Sequence, residues 1–362
     1  MKRGFVFSIH SFAGLLSGLF ILLISLSGAL LVFNEELNHI EYPGITISEG
    51  NTTVSIDSCY RAIQAQYPHA QISQCNLPEK ANEPVLFTIY DSLYGSGTEP
   101  TQVFLHPQTV AILKIRSARN NFVNWVAVLH NSFHLGKTGE WLFGFFALVL
   151  LLSILTGLVL YRKTVLDVLT FRKRAFKRKN LHQLVGVCAL LFNLMIGITG
   201  FWMQRYVFKK DFYQSSSYTP VLKPSPSLFY SMDSSLYIMK VQHPAFKGYV
   251  IYFAQSKKGK TAVYGSQNTN SFIHSKKFAD VIFLDSTGNI SKTRFVNEID
   301  PADRYDIINS QIHFGQYGGL TVKIIYFLLG LSSGILSITG FLLWIKRRKF
   351  AISKIPKQSN GL

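Results

Sequence analysis

The chain has 362 residues, 48% of them hydrophobic, and a formal net charge of +18. The apolar residues gather into four long runs with no acidic residue in their cores, which excludes an entirely soluble protein. The basic excess is just as uneven: residues 1–4, 162–180 and 346–362 hold 16 of the 37 Lys and Arg and a single acid, Asp167. Its placement beside the apolar runs argues for a topology determinant touching anionic lipid and against a nucleic-acid surface.

Taken in chain order, the first element is an apolar span at 5–33, behind Lys2 and Arg3. Its run is too long for a signal-peptide core, and no small-x-small cleavage site follows before Asn34 and Glu35, so it reads as an uncleaved anchor. Residues 35–138 form a first loop. The stretch SIDSCYRAIQAQYP predicts a short amphipathic helix capped by Ser55 or Asp57 and ending at Tyr67-Pro68. VLFTIYD and TQVFLHPQTVAIL alternate as strands. Cys59 and Cys75 lie in this loop as a disulfide or as two free thiols, and Cys188 falls inside a span. A second span covers 140–161, the basic segment 162–180 follows, and a third span covers 181–204. The second loop, 205–318, has strand-like GYVIYFAQ, KTAVYGS and ADVIFLDSTGNI, the last closing on a turn at 286–289. Neither loop carries a catalytic triad, a P-loop or a dinucleotide fingerprint. Its lysines and tyrosines read as a solvated sheet surface, or more weakly as a landing site for an anionic iron chelate. A fourth span covers 320–345, and a basic tail runs from 346 to 362. The charge bias places both termini and the segment 162–180 in the cytoplasm and both long loops outside.

A repeat is written in the spacing. From His10, glycines stand at +4 (Gly14) and +18 (Gly28); from His182 they stand at +4 (Gly186) and +18 (Gly200). From His130 they stand at +6 (Gly136) and +27 (Gly157); from His313 at +6 (Gly319) and +27 (Gly340). Ser27, Thr156, Thr199 and Thr339 precede the late glycines. The expected fold class is an all-α membrane bundle of four transmembrane helices, 1–34, 139–161, 181–204 and 319–345. It is built from two parallel two-helix repeats about a pseudo-two-fold axis along the membrane normal, with two small separate α+β modules outside.

Histidine in a membrane span is costly unless it is paired or coordinated. The repeat sets His10 and His182 at one depth and His130 and His313 at the other, so each pair makes a natural bis-axial site for haem iron. Gly14, Gly186, Gly136 and Gly319 would admit a flat macrocycle beside them. Gly28, Gly157, Gly200 and Gly340 read instead as close helix packing. His134, four residues after His130, is a possible supporting group or an alternative ligand. Zinc, which prefers four mixed ligands, finds no such cluster at either depth.

The stretches IHFGQYGGLTVKIIYFLLGLSSGILSITGFLLWIKRR at 312–348 and LHNSFHLGKTGEWLFG at 129–144, with the helix starts at His10 and His182, resemble the PepSY-associated transmembrane family. That family includes iron-regulated proteins and ferric-siderophore reductases of the bacterial inner membrane. YPHAQISQCNLP and VFLHPQTVAIL look like its PepSY modules. The resemblance implies a multi-pass inner-membrane protein with two b-type haems, held by His10 with His182 and by His130 with His313. It implies a haem-dependent reductase of Fe(III) in a periplasmic siderophore or other iron chelate. Its electrons would come from a separate cytoplasmic reductase or a quinol, since no flavin domain is fused here. His134 departs from the apolar residue usual at its position. The reading from another class is a non-redox scaffold or transporter whose outer modules bind peptide or metal.

Overall fold

A computed structural model describes residues 3–41, 47, 54–80, 82–91, 100–170, 180–214, 223–267 and 274–353. The basic residues 171–179 and the tail beyond 353 lie outside the described residues.

The sheet is where the architecture departs from expectation. Helix α3 (Ile56–Gln66) is followed by strands β1 (Gln71–Asn76), β2 (Val85–Tyr90), β3 (Pro100–Leu105) and β4 (Ile112–Ser117). After the third apolar run, helix α8 (Met232–Gln242) is followed by β5 (Lys247–Tyr252), β6 (Thr261–Ser266), β7 (Asp280–Leu284) and β8 (Ile290–Arg294). Each set is a helix followed by an antiparallel meander. The two meanders join through their first strands, with Gln74 opposite Tyr252 and Asn76 opposite Val250. The result is one eight-stranded antiparallel sheet in the order β4-β3-β2-β1-β5-β6-β7-β8. The chain is therefore α+β, not an all-α bundle with two separate modules. The physical reason is edge pairing: β1 and β5 would each expose a row of unpaired backbone groups, and each satisfies the other.

Strand alternation puts one face of this sheet into a common core. Val85, Phe87, Ile89, Val103 and Leu105 from one meander, and Ile251, Val263, Ile282 and Leu284 from the other, are buried with Ile56, Tyr60 and Ile63 of α3 and Met232 and Met239 of α8. Each such side chain contributes about 1.5–3 kcal/mol by leaving water. Cys59 and Cys75 are free thiols in this core. Burial pushes Cys59 up to about 11 and Cys75 well above its ordinary value.

The helix starts follow the expected chemistry. Ser55 caps α3 by accepting from Ser58 N, and Tyr67 closes it. Ser231 caps α8 by accepting from Ser234 N, a helix the sequence reading did not place. The turn before β8 is closed by Gly288 N donating to Asp285 O, with Gly288 at φ +86°.

Among the described residues, three helices are long and apolar enough to cross a membrane unbroken: α1 (Arg3–Leu31), α5 (Gly136–Leu169) and α10 (Gly319–Ser353). The run expected as the third span, 181–204, is two helices, α6 (Leu181–Cys188) and α7 (Leu190–Gln204), with a bend of 64° between α6 and the stretch Leu190–Phe208. No proline stands at the break. Both pieces pack on α5 and α10, α6 chiefly on α10 and α7 chiefly on α5, and α7 also packs on α9 (Pro301–Phe314). Helix α5 is kinked at Tyr161, the expected boundary, with a second helical stretch continuing to Leu169, and α10 runs past 345. Basic residues are good helix formers, so apolar and helical boundaries need not coincide.

Helices α1 and α10 are in closest contact through small residues. Ser25 donates to Gly330 O at 2.6 Å and accepts from Gly334 N at 2.9 Å, and Gly330 lies against Ala29. Two short helices complete the set, α2 (Asn34–Glu41) after α1 and α4 (Phe122–Ser132) before α5. A chain of charges ties sheet to helices: Glu79 to Lys277 (2.9 Å), Lys277 to Glu35 (3.7 Å), Glu35 to Lys323 (3.4 Å) and Lys323 to Glu36 (2.7 Å).

Candidate functional site

The four repeat-matched histidines enter the helices in two ways. His10 and His182 are on α1 and α6, and each lies in the first turns of an apolar run. His130 and His313 are instead in the last turns of the separate helices α4 and α9. Each of those helices stops in the left-handed region. Phe133 (φ +49°) and His134 (φ +59°) end α4, and Gly315 (φ +64°) ends α9. A sharp turn then starts α5 and α10 at Gly136 (φ +56°) and Gly319 (φ +67°). Those two glycines thus serve backbone geometry at a turn, and no side chain lies within 4 Å of where their Cβ would be.

One bonding pattern recurs at all four histidines. His10 Nδ1 lies 3.1 Å from Thr156 Oγ1 and 3.0 Å from Ser153 O. His130 Nδ1 lies 3.1 Å from both Ser27 Oγ and Ile24 O. His182 Nδ1 lies 3.0 Å from Thr339 Oγ1, and His313 Nδ1 lies 2.9 Å from Thr199 Oγ1. Each hydroxyl spends its own proton on a carbonyl four residues back: Thr156 on Leu152, Ser27 on Leu23, Thr339 on Ile335, Thr199 on Met195. It is left as an acceptor, so the imidazole is held with the proton on Nδ1 and the lone pair on Nε2. That is the tautomer a metal-binding histidine needs.

The glycine after each hydroxyl receives the ring. A Cβ at Gly28 would stand 2.7 Å from His130 Cε1, and at Gly200 3.0 Å from His313 Cε1. At Gly157 it would stand 3.3 Å from His10 Cε1, and at Gly340 3.4 Å from His182 Cε1. Sequence reasoning noticed the hydroxyl–glycine pairs but assigned them to helix packing. The spacing held the signal, since each pair sits at a fixed distance from a histidine, but it could not say which histidine the pair serves. The partner lies on another helix: the pair on α5 serves His10 and the pair on α1 serves His130, and likewise α10 serves His182 and α7 serves His313.

Across the bundle, the His10 and His182 rings meet edge to face with centroids 6.1 Å apart and planes at 75°. They border a cavity of about 450 Å³ near the basic end of α10. Gly14, Gly157, Gly186 and Gly340 line it too, as do Arg347 and Arg348. Arg347 is stacked over Phe7 at 4.3 Å and Arg348 over Trp344 at 5.4 Å. His130 and His313 border a second cavity of about 260 Å³ on the side of the sheet, lined also by Gly28, Gly200, Phe143 and Tyr326. Burial holds His130 down to about 4; burial and then the neighbouring His130 hold His313 down to about 3. Both are neutral at physiological pH.

His134 is exposed and stacks on Trp125 at 5.0 Å, outside the lining of either cavity. Its counterpart Tyr317 meets the Tyr326 hydroxyl at 2.6 Å, and Tyr326 donates to Ile312 O beside His313. Among the described residues no group of three or more His, Cys, Asp and Glu is placed to hold a bare metal ion. His10 and His182 are in ring contact, and His130 and His313 border one cavity together.

These features define a membrane-embedded α+β protein with two stacked apolar cavities, each flanked by a pair of oriented imidazoles. A family model for the PepSY-associated TM region matches residues 7–347, and the chain belongs to that family. No curated protein matches the chain significantly.

Proposed function

We propose that the protein is a di-haem transmembrane electron-transfer protein of the bacterial inner membrane. It passes electrons from the side of the basic termini to the side of the sheet. There it reduces Fe(III) held by a siderophore or similar chelate to the more weakly bound Fe(II). The observation that carries this reading is the pair of imidazoles at each cavity, every one anchored through Nδ1 to a hydroxyl.

The residues fit b-type haem on three counts. His10 and His182, whose ring centroids are 6.1 Å apart, would hold the tail-side group, and His130 and His313, which border the second cavity together, would hold the other. Between the rings the walls are apolar and relieved by glycine, as a flat macrocycle needs. The guanidinium groups of Arg347 and Arg348 border the tail-side cavity, where they suit the carboxylates of an amphiphilic porphyrin. When bound, haem supplies reversible one-electron chemistry between Fe(III) and Fe(II). The chain holds the ligand rings, fixes their tautomer, excludes water and sets the two sites in line across the apolar layer. The electron donor is a separate reductase or quinol on the basic side.

The purified full-length protein should show a Soret band, sharpened α and β bands on reduction, and about two haems per chain. His10→Ala or His182→Ala should remove one haem and leave the other, and His130→Ala or His313→Ala should do the reverse. Pre-reduced protein should be reoxidised by ferric siderophore. Full haem content in all four variants would overturn the ligand assignment, and a colourless wild-type protein from haem-replete cells would overturn the function.

A further inference from the structure

The two cavities abut. Four residues line both of them: Ile21 of α1, Leu150 of α5, Asn193 of α7 and Ser333 of α10. They are two repeat-matched pairs. Ile21 and Asn193 each stand eleven residues after the first histidine of their half, and Leu150 and Ser333 each stand twenty after the second. The wall between the sites is thus built from equivalent positions, yet the first half supplies two hydrocarbons and the second an amide and a hydroxyl. Asn193 is 4% exposed, so a polar group has been placed in the middle of the apolar layer, where it is costly unless bonded. Its Oδ1 accepts from Ser333 Oγ at 3.1 Å and lies 3.0 Å from Ser332 Oγ. With the oxygen held by serines, the N–H donors are what Asn193 has left to offer the two cavities it lines.

We infer that Asn193, oriented by Ser333, tunes the redox equilibrium of the sites it separates. The inference rests on the di-haem reading. A one-electron transfer across this wall makes no bond, breaks none and moves no proton: one site is oxidised as the other is reduced. The only change is charge, and an N–H dipole pointed at a site in low dielectric favours the electron-rich state. The amide therefore raises the midpoint potential of the site it faces and makes two sites with equivalent ligands energetically unequal.

Redox titration of the haem-loaded full-length protein, followed in the visible spectrum, tests this. Asn193→Leu keeps the volume and removes the amide. It should retain two haems while lowering at least one midpoint potential by the equivalent of a tenfold change in the one-electron equilibrium constant, about 59 mV. Ser333→Ala, which releases the amide oxygen, should shift the same potential in the same direction by less. Two haems at unchanged potentials in Asn193→Leu would overturn the inference and leave the di-haem reading standing. Loss of haem in Asn193→Leu with both potentials unchanged in Ser333→Ala would also overturn it, by making the residue purely structural. Absence of haem from the wild-type protein would remove the reading beneath it.

Discussion

Asp57 and Asp233 cap each other's helices. The Asp57 carboxylate accepts from Met232 N at 2.6 Å and from the Ser231 hydroxyl at 2.5 Å, at the start of α8. Asp233 accepts from Ile56 N and the Ser55 hydroxyl, both at 2.7 Å, at the start of α3. Two helix N-termini therefore satisfy their orphan donors across a module boundary, which couples the helices above the continuous sheet.

Removing either carboxylate should loosen this junction. Asp57→Ala and Asp233→Ala should each destabilise the protein by about 1–3 kcal/mol, the range for stranding partly buried donors. Because both hold one interface, the double variant should cost less than the sum. Thermal melts of the two single variants and the double variant in detergent decide it; strict additivity would mean the caps act independently.

On the proposed di-haem reading, the hydroxyl behind each imidazole should govern retention of the cofactor. Thr199→Val keeps the shape and removes the acceptor of His313 Nδ1. Losing such a supporting bond typically weakens metal affinity 10- to 100-fold. Haem content after dilution should fall at the sheet-side site alone, and Thr339→Val should affect the His182 site alone.

Glycine substitutions should follow the available space. Gly28→Ala and Gly200→Ala place a Cβ 2.7 and 3.0 Å from an imidazole carbon, so the ring must move. Gly157→Ala and Gly340→Ala, at 3.3 and 3.4 Å, ask for only a slight adjustment. Haem occupancy and spectral position should be strongly altered at the sheet-side site and mildly at the other. Equal effects at both sites would show that ring clearance is not what the glycines provide.

Acid should weaken the protein through His130 and His313 when no cofactor is bound. Their folded values, about 4 and about 3, lie below the 6.5 of an unperturbed histidine. Between those values the unfolded chain binds protons that the folded chain refuses. Stability is then complete above pH 6.5 and falls progressively as the pH drops toward 4. Unfolding midpoints across that range should decline in the cofactor-free wild type and decline less in His130→Ala.

Much of the site was legible from spacing. The +4 and +18 offsets from His10 and His182 and the +27 offsets from His130 and His313 pick out glycines that line the two cavities, whereas the +6 glycines Gly136 and Gly319 line neither. The helix at Ser55–Tyr67 and the strand-like stretches were also legible, since capping and alternation are local signals. The role of Ser27, Thr156, Thr199 and Thr339 was not, because each serves a histidine on a different helix. The bend between Cys188 and Leu190 was not legible either, since no proline marks it in the sequence.

By itself the sequence determined that the chain has long apolar helices, a duplicated histidine and glycine spacing and two strand-rich segments, all of which follow from local periodicity and composition. Only the tertiary structure decided that the two strand sets merge at β1 and β5 into one sheet. It alone decided that His10 meets His182 at 6.1 Å, and that a polar Asn193 stands opposite hydrocarbon in the wall between the cavities. Those outcomes depend on which surfaces meet in space, and pairing between distant segments leaves no periodic trace in either one.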